Sequence, residues 1–176
     1  MKKQDILENQ VNLVYLALGS NLGDKKNNLN NSIDLIQKEG ILIKKKSKFY
    51  STKSWPNENF PNFFNAIILI ETKLNINELF LKIKKIEKKL GRTKSKRNHP
   101  RVCDIDIIDF NGEIINRKFG NHKLNIPHKR MRNRNFVLFP LFELDKDWVH
   151  PKLNKNIVIL MSNLTSDQLL GIKIAQ

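Results

Sequence analysis

The chain has 176 residues, a formal net charge of +15 and an isoelectric point near 10.0. Its 40% hydrophobic content suits one globular domain over residues 1–176, and no run approaches the ~20 apolar residues of a membrane span. The charge favours anionic partners such as nucleotides or nucleic acid, and a single cysteine excludes an intramolecular disulfide framework.

The first part of the chain alternates apolar runs with one amphipathic stretch. Residues 13–18 predict a buried strand, and Asp24 is placed to cap the helix that follows it. Gly40 predicts the end of that helix. Residues 41–50 predict a basic strand, and 51–62, with two prolines, predict a loop.

The same alternation continues in the second part. Residues 63–71 predict the strongest strand of the chain, and Asn77 is predicted to cap a second helix that ends at Gly91. Residues 102–110 predict another strand, whereas 113–135 look irregular and basic. The order strand, helix, strand, strand, helix, strand is typical of a ferredoxin-like α+β fold, with helices packed on a mostly antiparallel sheet.

Two aspartates stand out in the apolar strand at 102–110. Asp104 and Asp106 are two residues apart, so they share one strand face with their Cα atoms roughly 7 Å apart. Two carboxylates so placed can hold a pair of Mg²⁺ ions for phosphoryl transfer, or they can simply face solvent. Cys103 lies on the opposite face and is predicted to be a buried hydrophobic residue rather than a nucleophile.

Three other parts of the chain admit both a functional and a structural interpretation. Gly19 to Gly23, between a strand and a helix, suggests a phosphate loop, but without the P-loop lysine a structural turn is favoured. Phe63 and Asn65 share a strand face, which suits a flat heterocycle that stacks on the ring and bonds to the amide. Alternatively, the phenylalanine is a core residue.

Glu87 lies beside the apolar stripe of the second predicted helix. It either borders a pocket or pairs with a nearby cation.

Cations cluster on both sides of the aspartates. The first group has five members in ten residues: Arg92, Lys94, Lys96, Arg97 and Arg101. The second lies within 127–136 and includes His128, for which a phosphate contact is favoured over a structural role. Such runs are usually solvated loops, but next to metal-bound phosphates they would neutralise charge.

These groups, in this order, resemble the 6-hydroxymethyl-7,8-dihydropterin pyrophosphokinases, which are enzymes of folate biosynthesis. The resemblance runs from about residue 13 to 151. It rests on the ordered segments Ala-Leu-Gly-Ser-Asn-Leu-Gly, Phe-Phe-Asn-Ala, Ile-Glu-Lys-Lys-Leu-Gly-Arg, Pro-Arg-Val-Cys-Asp-Ile-Asp-Ile and Ile-Pro-His-Lys-Arg-Met, followed by Arg-Asn-Phe-Val-Leu-Phe-Pro-Leu. It implies transfer of the pyrophosphoryl group of ATP to the pterin's hydroxymethyl oxygen, with release of AMP.

The resemblance also implies site residues. Asp104 and Asp106 would bind two Mg²⁺ ions and, with Arg92 and Arg101, form the catalytic set. ATP would be bound by Glu87, Arg92, Arg101, Ile107, Lys123, Leu124, Asn125, His128, Lys129 and Arg134. The pterin would be bound by Thr52, Lys53, Ser54, Trp55, Phe63, Asn65 and Phe136, with the two phenylalanines on either side of its ring.

Three departures from the family pattern affect the loops and the stacking face. Asn98 and His99 replace a common Trp-Gly pair, which puts an aromatic lid in doubt. Phe63 stands where tyrosine is common, so stacking is kept and a hydroxyl is lost. Lys94 stands where arginine is usual.

Two rival functions remain. A basic ferredoxin-like RNA-binding module would explain the charge, but the chain lacks an RNP-type motif, so we expect no nucleic-acid partner. A Mg²⁺-dependent phosphohydrolase would use the same aspartates without a pterin. We expect a monomeric cytoplasmic enzyme.

Overall fold

The computed structural model describes residues 11–92, 99–120 and 122–175, and an antiparallel sheet lies at its centre. The strands are β1 (Asn12–Ser20), β2 (Leu42–Lys46), β3 (Tyr50–Thr52), β4 (Phe63–Thr72), β5 (Asp104–Phe110), β6 (Ile115–Phe119), β7 (His122–Ile126), β8 (Val149–His150), β9 (Lys155–Asn156) and β10 (Ile172–Ile174). The helices are α1 (Lys25–Lys38), α2 (Ile76–Lys89), α3 (Asn135–Leu144), α4 (Ile157–Ser162) and α5 (Ser166–Leu170), with a 3₁₀ turn at Met131–Asn133.

The main sheet has six strands in the order β10-β3-β4-β1-β5, and β2 also pairs with β4. All of these pairings are antiparallel. Gly19, near the end of β1, lies opposite Asn65 on β4 and opposite Asp104 on β5. The register therefore brings the predicted pterin-binding and metal-binding residues to one end of the sheet.

Each face of the sheet carries its own apolar core, because its central strands bury side chains on both sides. On one face, α1 and α2 pack through residues such as Leu29 and Ile83. On the other, α3 and α4 pack through residues such as Leu138 and Leu160. None of the described helices has both the length and the apolar composition to cross a membrane.

The α+β class and most of the predicted elements are confirmed. The side chain of Asp24 accepts a hydrogen bond from the Asn27 amide and caps α1 as predicted. Cys103 is fully buried, with its sulfur 3.0 Å from Ser32 Oγ, and burial raises the pKa of its thiol to about 12. Its predicted role as a small buried residue is therefore confirmed.

Three element predictions are wrong in detail. The second helix is capped by Asn75 rather than Asn77, because Asn75 and Glu78 form a reciprocal capping box. The predicted strand at 41–50 is divided at Ser47, whose hydroxyl accepts a hydrogen bond from the Ile67 amide. Residues 113–135 are not irregular throughout, since β6 and β7 pair there as an antiparallel hairpin.

Candidate active site

Asp104 and Asp106 project together from β5 at the end of the sheet, and their side chains are 26% and 37% exposed. Asp104 is held by two arginines: Arg92 Nη1 lies 2.6 Å from Oδ1, and Arg101 Nη1 lies 2.8 Å from Oδ2. The two aspartates thus differ in their surroundings, because Asp106 has no such close partner among the described residues. Its carboxylate is the more open of the two to a ligand.

Asp106 faces a second pair of basic side chains. Arg134 Nη1 lies 3.7 Å and His128 Nε2 4.0 Å from its Oδ2 atom, which is close enough for electrostatic attraction. Burial lowers the pKa of His128, and the charge of Asp106 opposes that change. Cations from two separate parts of the chain therefore surround the aspartate pair.

Glu87 lies buried next to these charged side chains. It is only 2% exposed, and its carboxylate is surrounded by hydrogen-bond donors. Its carboxylate accepts hydrogen bonds from Lys84 Nζ at 2.7 Å, from the Ile105 amide at 2.8 Å and from Arg92 Nη1. Burial raises the pKa of Glu87, and Lys84 and Arg92 oppose that rise. Glu87 therefore links α2, β5 and Arg92, and through Arg92 it positions Asp104.

We expect Glu87→Ala to lower the free energy of unfolding by about 1–3 kcal/mol, because it leaves the buried Ile105 amide without its acceptor and removes the ion-pair partner of Lys84. Glu87→Gln keeps an acceptor for Ile105 and should cost clearly less. Urea denaturation of both variants measures the difference. Equal and small losses would show that the buried carboxylate does not organise the site.

A cavity of about 400 Å³ opens beside Asp106, between α2, β5 and the β6–β7 hairpin. Six of the residues predicted to bind ATP contribute to its lining: Ile107, Lys123, Leu124, Asn125, His128 and Lys129. Five further residues line the cavity without having been predicted from the sequence: Phe80, Ile83, Lys84, Ile105 and Arg130. Its apolar floor and cationic rim suit a nucleotide-sized ligand.

Two residues that line this cavity, and Arg101 beside Asp104, each have a buried polar atom with no hydrogen-bond partner among the described residues. Among the described residues, Arg101 Nε, Asn125 Oδ1 and His128 Nδ1 are the buried side-chain nitrogen and oxygen atoms without a hydrogen-bond partner. Native proteins rarely leave such atoms unpaired, since each costs about 1–3 kcal/mol. All three belong to residues predicted to contact ATP, and a bound polar ligand would satisfy them.

The aromatic side of the site lies across the aspartates. The guanidinium of Arg101 is 5.7 Å from the ring centroid of Phe63, and that of Arg134 is 5.3 Å from the ring centroid of Phe136. The residues predicted to bind the phosphates and those predicted to stack on the pterin are therefore in contact. A Cβ atom added at Gly19 would lie 3.4 Å from Asn65 Oδ1 and 3.8 Å from Phe63 Cδ1, so this position borders both of these side chains.

The remaining predicted pterin residues lie on β3 and the loop that follows it. Thr52 and Ser54 are buried, and Thr52 Oγ1 accepts a hydrogen bond of 3.0 Å from Asn65 Nδ2. Lys53 extends outward and forms an ion pair with Glu58 at 2.7 Å. Trp55 is 77% exposed, so it is the one member of this group that lies free on the surface of the described structure.

The Gly19 to Gly23 segment works as a structural turn through Asn21, which the sequence analysis did not single out. Asn21 is buried, and its Nδ2 donates to Ser54 Oγ at 3.1 Å and to the Pro61 carbonyl at 3.3 Å. Its Oδ1 accepts from the Arg101 amide at 2.8 Å. Asn21 therefore fixes the 51–62 loop against the start of the aspartate strand.

The altered loop residue His99 contacts this same loop, with its ring centroid 5.5 Å from that of Phe60. The two loops on either side of the site are thus in direct contact. Asn98 and three of the predicted cations, Lys94, Lys96 and Arg97, lie outside the described residues.

Comparisons with known proteins agree with this arrangement. Residues 15–146 match the model of the family described as 7,8-dihydro-6-hydroxymethylpterin-pyrophosphokinase. An Aquifex aeolicus protein named 2-amino-4-hydroxy-6-hydroxymethyldihydropteridine pyrophosphokinase is 39% identical over 142 residues, which cover 81% of this chain and 86% of that protein. The Dictyostelium discoideum folic acid synthesis protein FOL1 is 40% identical over 143 residues, but the match covers only 21% of it.

The fold has solved relatives as well. A crystal structure of Plasmodium falciparum HPPK-DHPS with pterin and p-hydroxybenzoate superimposes with a TM-score of 0.76 at 16% identity, over 97% of this chain and 49% of that one. At this identity the likeness concerns the fold alone. The family membership is shown instead by the match over residues 15–146 and by the identity to the Aquifex protein. This chain belongs to the 7,8-dihydro-6-hydroxymethylpterin-pyrophosphokinase family.

Proposed function

We propose that this protein transfers the pyrophosphoryl group of ATP to the hydroxymethyl oxygen of 6-hydroxymethyl-7,8-dihydropterin and releases AMP. One observation in the geometry carries the proposal: an aspartate pair ringed by cations lies between a nucleotide-sized cavity and an aromatic wall. Family membership supports the same reaction. Residues 1–176 would then form a single pyrophosphokinase domain.

Asp104 and Asp106 would hold two Mg²⁺ ions. The described part of the chain has no group of three or more His, Cys, Asp or Glu side chains able to hold a metal. The donor set still fits Mg²⁺, which is often held by one or two carboxylates together with waters and substrate phosphates. When bound, the ions would neutralise the triphosphate and polarise its oxygens.

The cavity beside Asp106 would take the nucleoside part of ATP. Its apolar floor includes Ile107 and Leu124, which suit an adenine ring, and the unpaired Oδ1 of Asn125 could accept a hydrogen bond from the exocyclic amine. Lys123 and Lys129 line the same cavity. Arg92, Arg101, His128 and Arg134 would contact the phosphates, where the arginine forks suit bidentate bonds.

The pterin would lie on the other side of the aspartates, between Phe63 and Phe136. Asn65 and Thr52 are already bonded to each other, and together they would offer a hydrogen-bonding edge to the ring. Lys53, Ser54 and Trp55 would complete the site from the neighbouring loop. A flat heterocycle that stacks and is recognised at its edge fits this combination of side chains.

In the reaction the hydroxymethyl oxygen would bond to the β-phosphorus and lose its proton to water, while the bond from that phosphorus to the α,β-bridging oxygen breaks and AMP leaves with that oxygen. The protein's task is then positioning and charge neutralisation, since phosphoryl transfer needs little covalent help from the protein. Arg92 and Arg101 are already oriented by Asp104. Both guanidinium groups would therefore already lie beside the carboxylates where the charge develops.

We further infer that the architecture is ferredoxin-like. The order β3-β4-β1-β5 in the sheet, with α1 and α2 between successive strands in the chain, supports this assignment. The helices α3 and α4 on the opposite face are additions to that unit. The monomeric state and the cytoplasmic location stay predictions.

The test is nucleotide product analysis with ATP and Mg²⁺, with and without 6-hydroxymethyl-7,8-dihydropterin. We expect AMP only when the pterin is present. ADP or free phosphate regardless of the pterin would indicate an ordinary kinase or a phosphohydrolase. No turnover, combined with tight binding of single-stranded RNA, would favour the RNA-binding module instead.

A further inference from the structure

The C-terminal segment at residues 165–175 lies beyond the family match, which ends at residue 146. It contains α5 and β10, and it contacts both sides of the proposed pterin site. None of the residues predicted for the site comes from it. The segment nevertheless connects the wall that carries Phe136 to the wall that carries Thr52.

Gln168 makes the connection to the Phe136 wall. The side-chain Nε2 of Gln168 donates a hydrogen bond of 2.9 Å to the Asn133 carbonyl. The backbone carbonyl of Gln168 accepts a hydrogen bond of 2.5 Å from Asn135 Nδ2. Asn135 Oδ1 in turn accepts a hydrogen bond of 2.7 Å from the Phe136 amide. Gln168 thus fixes the first turn of α3, where the stacking residue is located.

The other end of the segment is fixed to β3. Ile172 pairs with Thr52 in the sheet, and the Ala175 amide donates to the Phe49 carbonyl at 2.7 Å. Thr52 is also the acceptor for Asn65 on its other side. A short stretch from Gln168 to Ile172 therefore ties the stacking wall to the hydrogen-bonding edge.

We propose that Gln168 is a positioning residue for the pterin substrate. The proposal rests on the proposed function, because it assigns the two walls to that ligand. A ring held between two aromatic faces loses dispersion contacts when the gap changes by as little as 0.5–1 Å, so the spacing must be fixed. Gln168 fixes it from outside the site, without touching the ring.

Three substitutions separate this role from simple helix capping. The Oε1 atom of Gln168 accepts from the Thr165 amide and completes the capping box of α5. Gln168→Glu keeps the acceptor for Thr165 but cannot donate to the Asn133 carbonyl. Gln168→Ala loses both of these side-chain bonds and keeps only the backbone bond from Asn135. Thr165→Ala removes the cap hydroxyl and leaves the bond to Asn133 available.

We expect Gln168→Glu and Gln168→Ala to raise KM for the pterin about tenfold, the loss typical of one well-placed hydrogen bond. KM for ATP should change less than about twofold. Thr165→Ala should leave both constants near those of the unmodified protein, at a similar loss of thermal stability. Steady-state kinetics with each substrate varied in turn gives both KM values for the unmodified protein and for each variant.

The outcomes are distinguishable. Unmodified protein that forms no AMP from ATP and the pterin would overturn the proposed function itself. Active unmodified protein, with an unchanged pterin KM in Gln168→Glu, would overturn the positioning role alone. Equal increases in both KM values, or the same effect from Thr165→Ala, would show that the segment contributes only general stability.

Discussion

Replacing Asp106 by alanine is expected to lower AMP formation by about 10³-fold or more, because it removes a carboxylate proposed to hold Mg²⁺ next to the phosphates of ATP. The fold should survive this change. Asp106 is 37% exposed, and its nearest cationic partners are 3.7 and 4.0 Å away, so little packing depends on it. The free energy of unfolding, measured by thermal denaturation, should therefore differ from that of the unmodified protein by less than about 0.5 kcal/mol.

Asp104→Ala should lose as much activity, because it also removes a carboxylate of the pair, but it should disturb neighbouring side chains more than Asp106→Ala does. Asp104 is the shared partner of Arg92 and Arg101, so its removal leaves Arg101 without this ion pair and Arg92 with Glu87 alone, and it also takes away a proposed metal ligand. Asp34→Asn, at an exposed position on α1, is the matched control and should retain full activity. AMP formation near the unmodified level in Asp106→Ala and Asp104→Ala would rule out the metal assignment.

The sequence could predict the placement of the two aspartates because local rules determine most of it. Alternation along a strand puts Asp104 and Asp106 on one face whatever the rest of the fold does. The capping position of Asp24 likewise depends only on neighbouring residues. Local signals were also present where predictions failed: Asn75 and Glu78 have capping-box spacing, and Gly120-Asn121 lies between two runs suited to a hairpin.

Other parts of the site depend on contacts between distant residues, and no local pattern identifies them. Asn21 bonds to Ser54 and to Arg101, which are 33 and 80 positions away. Lys84 lines the cavity only because α2 packs against β5. Gln168 reaches the Phe136 wall from a segment that resembles an ordinary terminal helix. These contacts depend on which strands and helices lie side by side in the fold. A single sequence does not show which individual residues then meet.

Phe136→Ala is expected to weaken pterin binding by about 30- to 150-fold and to leave ATP binding nearly unchanged. Loss of one aromatic face costs about 2–3 kcal/mol, from buried area and from stacking, and tenfold in Kd corresponds to 1.4 kcal/mol. The selectivity follows from position, since Phe136 does not line the cavity beside Asp106. Titration calorimetry with the pterin, and separately with an ATP analogue that cannot be cleaved, measures both affinities.

Phe136 is also partly buried against the core on its side of the sheet, so a purely structural role has to be separated from stacking. Phe139 lies on the same helix and packs against the same core, which makes Phe139→Ala the matched control. We expect Phe139→Ala to lose comparable stability without selective loss of pterin affinity, and Phe136→Tyr, which keeps the ring, to bind nearly as the unmodified protein does. Equal weakening of both ligands in Phe136→Ala would mean that the residue supports the core, and the ring-binding wall would then have to be assigned elsewhere.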